Sequence, residues 1–111
     1  MPFLTREIFE PHPHADIAEG VLPSAVDEAL YANWVRKFQR IEDAITERVT
    51  YEVNGLKVTG IVMMPKDAEL GAHPLVMFNR GGRGRYGMLN VLTLNNLIHP
   101  LVQRGYIVIA S

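Results

Sequence analysis

The tightest constraint on this chain lies in its last third. Pro74-Leu-Val-Met-Phe-Asn79 is a short apolar run that enters a glycine-rich turn, Arg80-Gly-Gly-Arg-Gly-Arg-Tyr-Gly87. A leucine-rich helical segment follows, and then a second apolar run, Gly105-Tyr-Ile-Val-Ile-Ala-Ser111. Strand, turn, helix, strand is one βαβ unit, whose two strands are predicted to be parallel and buried. Two parallel strands cannot bury themselves. The pattern therefore predicts an α/β fold that reads as the incomplete start of a larger sheet.

The firmest local signal stands upstream. Glu47-Arg-Val-Thr-Tyr-Glu-Val53 and Leu56-Lys-Val-Thr-Gly-Ile-Val-Met63 flank Asn54-Gly55, the pair favoured in a two-residue type I′ hairpin. Such closure sets the register: Val53 faces Leu56, Glu52 faces Lys57, Tyr51 faces Val58 and Thr50 faces Thr59. Pro65 ends the second strand, and 66–73 reads as a polar loop.

Residues 1–23 read as irregular, because Pro2, Pro11, Pro13 and Pro23 interrupt any helix. A helix is then predicted, with Ser24 as N-cap and Asp27 completing a capping-box pattern. Val26, Leu30, Trp34, Phe38 and Ile41 form its apolar stripe, which should dock by the Trp34 and Phe38 side. The later segment, Met88 to Arg104, places Leu89, Leu94, Leu97, Leu101 and Val102 on one side. Pro100 must kink it or mark the first turn of a shorter helix, and Gly105 suits the position just past its end. The division is a 1–44 segment with an amphipathic helix and a 45–111 partial α/β domain.

Bulk properties narrow the function classes. At net charge -1, the chain has no field to draw in nucleic acid or an anionic membrane. Without cysteine, disulfides, thiolate nucleophiles and cysteine-held zinc are excluded. Arg6 and Glu7 interrupt the N-terminal stretch where a signal peptide needs an apolar core, so a cytoplasmic location is expected.

The glycine-rich turn admits three chemistries. Gly82-Arg-Gly84-Arg-Tyr-Gly87 matches a dinucleotide fingerprint, yet the first glycine comes late after the strand. The next strand ends Ile109-Ala-Ser111 without the acid that would bind ribose. Arg80-Gly-Gly-Arg-Gly-Arg85 also looks like an arginine-glycine nucleic-acid segment. Those act through repetition in disordered basic tracts, and here there is one copy in a near-neutral chain. The third chemistry is acyl transfer, in which backbone N–H groups of such a turn receive the charge developing on a carbonyl oxygen. A purely conformational role also fits, the glycines letting a strand bend sharply into a helix.

Taken in order, Gly55-Leu-Lys-Val-Thr-Gly60-Ile-Val-Met-Met-Pro65, Pro74-Leu-Val-Met-Phe78, Arg80-Gly-Gly82 and Gly105-Tyr-Ile-Val-Ile-Ala-Ser111 resemble the start of a prolyl oligopeptidase-type catalytic domain. That family of serine peptidases and related hydrolases has the α/β-hydrolase fold, and the resemblance spans roughly 45–111. It implies that Gly81 or Gly82 supplies oxyanion-loop backbone. Of the arginines, Arg83 and Arg85 read as solvent-facing turn residues, with Arg80, Arg83 and Arg85 the possible contacts to an anionic substrate group. It also implies that the second hairpin strand lies beside the last strand, with 74–79 at the open edge. Arg80 stands where His is usual, a change that backbone donors survive.

The same resemblance shows what the chain does not contain. The family's nucleophile sits in a G-x-S-x-G elbow, with the Asp and His later. Here the serines are Ser24 and Ser111, neither in such an elbow, and His73 and His99 precede any nucleophile of that kind. No catalytic residue is assigned, and the chain alone is expected to be inactive. A peptide or ester substrate is implied only for a completed domain. No cofactor, nucleic acid or membrane partner is expected. His12-Pro-His14-Ala-Asp16 could ligate a metal, although a polar loop is the plainer reading, and no metal site is assigned. Two other classes remain: a non-catalytic interaction module that pairs through an open sheet edge, and a nucleotide-binding fragment. Self-association or aggregation through that edge is expected.

Overall fold

In this computed structural model, residues 3–11, 28–68, 72–79 and 89–111 are described. They form a five-stranded mixed sheet with helices, an α/β arrangement. Its elements are β1 (Thr5–Ile8), α1 (Glu28–Gln39), β2 (Ala44–Val53), β3 (Leu56–Pro65) and β4 (Leu75–Phe78). A helical run of α2 (Val91–Thr93), a π-helical turn (Leu94–Ile98) and α3 (His99–Gln103) leads to β5 (Ile107–Ala110). The strand order is β1-β2-β3-β5-β4.

The hairpin has the register its turn dictates: Val53 opposite Leu56, Glu52 opposite Lys57, Tyr51 opposite Val58 and Thr50 opposite Thr59. Asn54 (φ 50°) and Gly55 (φ 80°) both adopt the left-handed backbone that a type I′ turn requires. The strands run longer than their sequence pattern suggests, because Ala44–Thr46 continue the hairpin pairing against Met63–Pro65. β2 receives β1 antiparallel, from Thr5 opposite Thr50 to Ile8 opposite Glu47. β3 receives β5 antiparallel around Val62 opposite Ile109.

β1 corrects the reading of 1–23 as wholly irregular. Thr-Arg-Glu-Ile carries no strand signal of its own, and all four residues are exposed. It becomes a strand because the free edge of β2 offers backbone partners, aided by the Arg6–Glu47 ion pair across the two strands.

β4 and β5 are parallel, Val76 opposite Val108 and Met77 opposite Ile109, as the βαβ pattern predicts. The second hairpin strand lies beside the last strand, and β4 holds the outer edge. The expectation that both strands are buried holds for β5 alone. Leu75 is 57% exposed and Met77 50%, because β4 is paired on one side and its far face has little cover.

Directly paired residues share a face of the sheet. Ile61, Met63, Val108 and Ala110, with Val76 and Phe78 at the edge, meet the helical residues Tyr31, Val35, Val91, Leu94, Ile98 and Val102 in the main core. The other face holds a smaller cluster of Val49, Tyr51, Val62, Ile107 and Ile109. Gly60 permits a close approach of β5, since a Cβ there would stand 2.7 Å from the Ala110 carbonyl oxygen.

Both helices dock with a phase different from the apolar spacing. In α1 the deepest residues are Tyr31 and Val35, with Trp34 and Phe38 packed at the margin and Leu30 exposed. Ser24, Val26 and Asp27 lie outside the described residues. In the later run, Leu97 is 56% exposed, whereas Leu94, Asn95 and Ile98 are buried. Leu94 has apolar residues at both i+3 and i+4, and burial follows Val91, Leu94, Ile98 and Val102, spaced three, four and four, which leaves Leu97 off the packed face. Pro100 lies in the first turn of α3, directly after the π-helical turn. The run ends in a Schellman motif: Gly105 (φ 94°) N–H donates to the Val102 carbonyl (2.9 Å), and Tyr106 N–H to Leu101 (3.2 Å).

Candidate functional site

The carboxyl ends of β4 and β5 lie side by side, joined by Ser111 N–H donating to the Phe78 carbonyl (3.2 Å). In open α/β sheets this is the end where ligands bind. The chain leaves β4 there at Asn79 and is described again from Leu89. Arg80, Gly81, Gly82, Arg83 and Arg85 all lie outside the described residues, as do His12, His14 and Asp16.

What is described is the far anchor of the turn. Asn90 is buried and extended (φ -145°, ψ 179°), and its Oδ1 accepts from Leu92 N–H (2.9 Å) and Thr93 N–H (3.2 Å). This N-cap holds the helix start in place through the side chain best suited to orphaned N–H groups. It is not among the residues singled out from sequence, although a polar residue directly before Val-Leu-Thr was the available signal.

Two histidines serve as structural ties. His73 Nδ1 donates to the Gly105 carbonyl (2.9 Å), fastening the loop before β4 to the turn before β5. His99 Nε2 is 2.7 Å from Asp43 Oδ1, linking α3 to the entry of β2. This contact, with further hydrogen bonding from Gln103, holds the Asp43 carboxyl below its ordinary range. The partners of the two histidines are thus a backbone carbonyl and a carboxylate. Among the described residues, no group of three His, Cys, Asp or Glu could hold a metal ion, and no helix is long and apolar enough to cross a membrane.

A cleft of about 250 Å³ lies elsewhere, lined by Ile8, Phe9, Phe38, Ile41, Ile45 and Thr46 among others. It sits beside the β1 edge, across the sheet from β4. The registers put its β2 residues level with Met63 and Met64, toward the amino end of β5. It therefore does not belong to the carboxyl-end site.

Asn95 is the one buried side chain with an unmet group among the described residues. Its Nδ2 donates to the Trp34 carbonyl of α1 (3.0 Å), while its Oδ1 has no partner. It ties the π-helical turn to α1, next to the Lys37–Asn96 contact (3.5 Å).

No protein-family model matches the chain, and neither a curated protein nor a solved structure matches it.

Proposed function

We propose that these residues are the oxyanion-loop portion of a serine hydrolase of the prolyl oligopeptidase type. The observation that carries this reading is the strand arrangement. An antiparallel hairpin is followed by a parallel pair, with β5 inserted between β3 and β4. That is the order the sequence resemblance implies. It aligns the carboxyl ends of β4 and β5, and the glycine-rich turn leaves from the former.

In this reading the backbone N–H of Gly81 or Gly82 donates to the oxygen of a carbonyl under nucleophilic attack. Such a donor works because it is already oriented when negative charge develops, so no reorganisation is needed at the transition state. Arg80, Arg83 and Arg85 would contact anionic or carbonyl groups of a peptide or ester substrate. The nucleophile, acid and catalytic histidine are not among these 111 residues.

The test has two parts. Coding sequence downstream of Ser111 is expected to contain a Gly-x-Ser-x-Gly. In a polypeptide that includes it, Gly82→Pro and Gly81→Pro each remove one candidate N–H. One of them is expected to lower kcat on an activated ester by about 10²–10³-fold, with slower fluorophosphonate labelling. Alanine at the same position, which keeps the N–H, is expected to be milder. Downstream sequence without the elbow, or full activity in both proline variants, would overturn the reading.

A further inference from the structure

We propose that the outer edge of β4 is a self-association site, at which β4 of a second copy adds antiparallel to make one continuous sheet. The inference rests on the edge itself; in the oxyanion-loop reading a later strand of the completed sheet would take that edge, so the experiment concerns the 111-residue chain.

The backbone geometry comes first. Ile107 N–H donates to the Pro74 carbonyl (2.9 Å) and Ser111 N–H to the Phe78 carbonyl (3.2 Å). Bonds in a parallel ladder recur at every second residue, so Val76 also turns its backbone toward β5. Leu75 and Met77 then direct their N–H and C=O groups away from the sheet. Placing a two-fold axis at Val76 sets Leu75 of each copy opposite Met77 of the other, in hydrogen-bonded pairs that exchange both N–H···O bonds. The edge is complementary to itself in this register, without any shift of backbone.

The side chains agree with that register. Leu75 and Met77, both half-exposed on the face away from the helices, become cross-strand neighbours between copies. Val76 meets Val76 of the second copy on the helical face. No charge is placed opposite a like charge, because Leu-Val-Met-Phe carries none.

The opposite edge of the sheet shows the contrast. β1 is as short, yet it carries Arg6 and Glu7, the kind of charged residues that discourage strand addition. β4 has no lysine, internal proline or bulge. An uncharged, apolar edge calls for an uncharged, apolar strand, and β4 of a second copy is such a strand.

The experiment uses the 111-residue chain in sedimentation velocity from micromolar to several hundred micromolar concentration. A concentration-dependent dimer is expected. Leu75→Lys with Met77→Lys should be monomeric throughout, whereas Ile8→Lys, on the β1 edge, should dimerise as the parent does. Because the chain has no cysteine, Val76→Cys gives a second and independent reading. A non-hydrogen-bonded antiparallel pair has Cα atoms about 4.5 Å apart, within the range of about 4.4–6.8 Å that a disulfide spans. Mild oxidation should therefore link Val76→Cys into a dimer faster than Leu56→Cys, placed on the exposed hairpin tip. A monomer at all concentrations would overturn the proposal. So would a dimer that survives the double lysine change in a folded variant, or cross-linking of Val76→Cys no faster than of Leu56→Cys.

Discussion

The β2–β3 hairpin belongs to the sheet on which the helical run 91–103 packs, and the two take their geometry from different sources. In the hairpin, a two-residue turn sets every pairing from Val53–Leu56 outward, and a period of two gives each residue its face. The helical run has sound local signals at both ends, Asn90 at its start and Gly105 past its end. Between them, however, Leu94 has apolar residues at both i+3 and i+4, and Leu97 is exposed while Leu94 and Ile98 are buried. A strand's facing comes from counting residues. A helix can offer more than one apolar stripe, and which one is buried is settled by what it packs against.

The largest effect that could break this contrast is in the helical run. Leu94→Ala should cost about 2–5 kcal/mol, the range for truncating a fully buried leucine. Leu97→Ala should stay within about 0.5 kcal/mol, as surface changes do. Urea unfolding of the two variants decides the matter, and equal losses would mean that Leu97 shares the packed face with Leu94.

The hairpin side is tested at its turn. Gly55 has positive φ and no heavy atom within 4 Å of a built Cβ, so a substitution there is purely a backbone problem. Gly55→Val should destabilise by about 1–3 kcal/mol, the cost of forcing a β-branched residue into left-handed backbone. An unchanged melting temperature would remove the turn as the source of the register.

A smaller loss, about 1 kcal/mol, is expected for Asn90→Ala, which strips the cap from the Leu92 and Thr93 N–H groups. Asn90→Asp, which can still accept both bonds, should recover most of it. Failure of that rescue would assign the effect to packing instead of capping.

The smallest effect is a pH dependence at the join between α3 and β2. The folded-state pKa of Asp43 is lowered, first by the hydrogen bond from His99. Its contribution is therefore present above the ordinary Asp value and is lost as pH falls through the lower folded-state value. Asp43 is more than half exposed, so solvent screening keeps the contribution small. Denaturation at about pH 7 and about pH 3 should show a slightly smaller acid loss in Asp43→Asn than in the parent. An identical acid loss would make the His99 contact energetically idle.

Much of the fold could be read from local chemistry. Asn54-Gly55 determined the hairpin and its register, because that turn admits few residues and one pairing. The alternation of apolar runs with a glycine-rich turn determined that β4 and β5 are parallel, since a helical crossover returns the chain in the same direction. Gly105 determined where the helix stops, because it alone relieves the left-handed backbone there. The candidate oxyanion loop was legible only as a motif, since its glycines permit many backbone paths and do not themselves select one.

Other features were decided only when the elements met. β1 is a strand because β2 presents an unpaired edge, not because Thr-Arg-Glu-Ile prefers extended backbone. Tyr31 and Val35, not Leu30, face the core because α1 settles against Val91, Leu94 and the sheet beneath them. Leu97 faces outward through the same kind of contest, in which the face of Leu94, Asn95 and Ile98 packs inward and Asn95 bonds the Trp34 carbonyl. Local sequence determines conformations whose alternatives are sterically costly within a few residues. Where several are nearly equal in energy, the choice belongs to contacts between residues far apart in the chain, and that choice is tertiary.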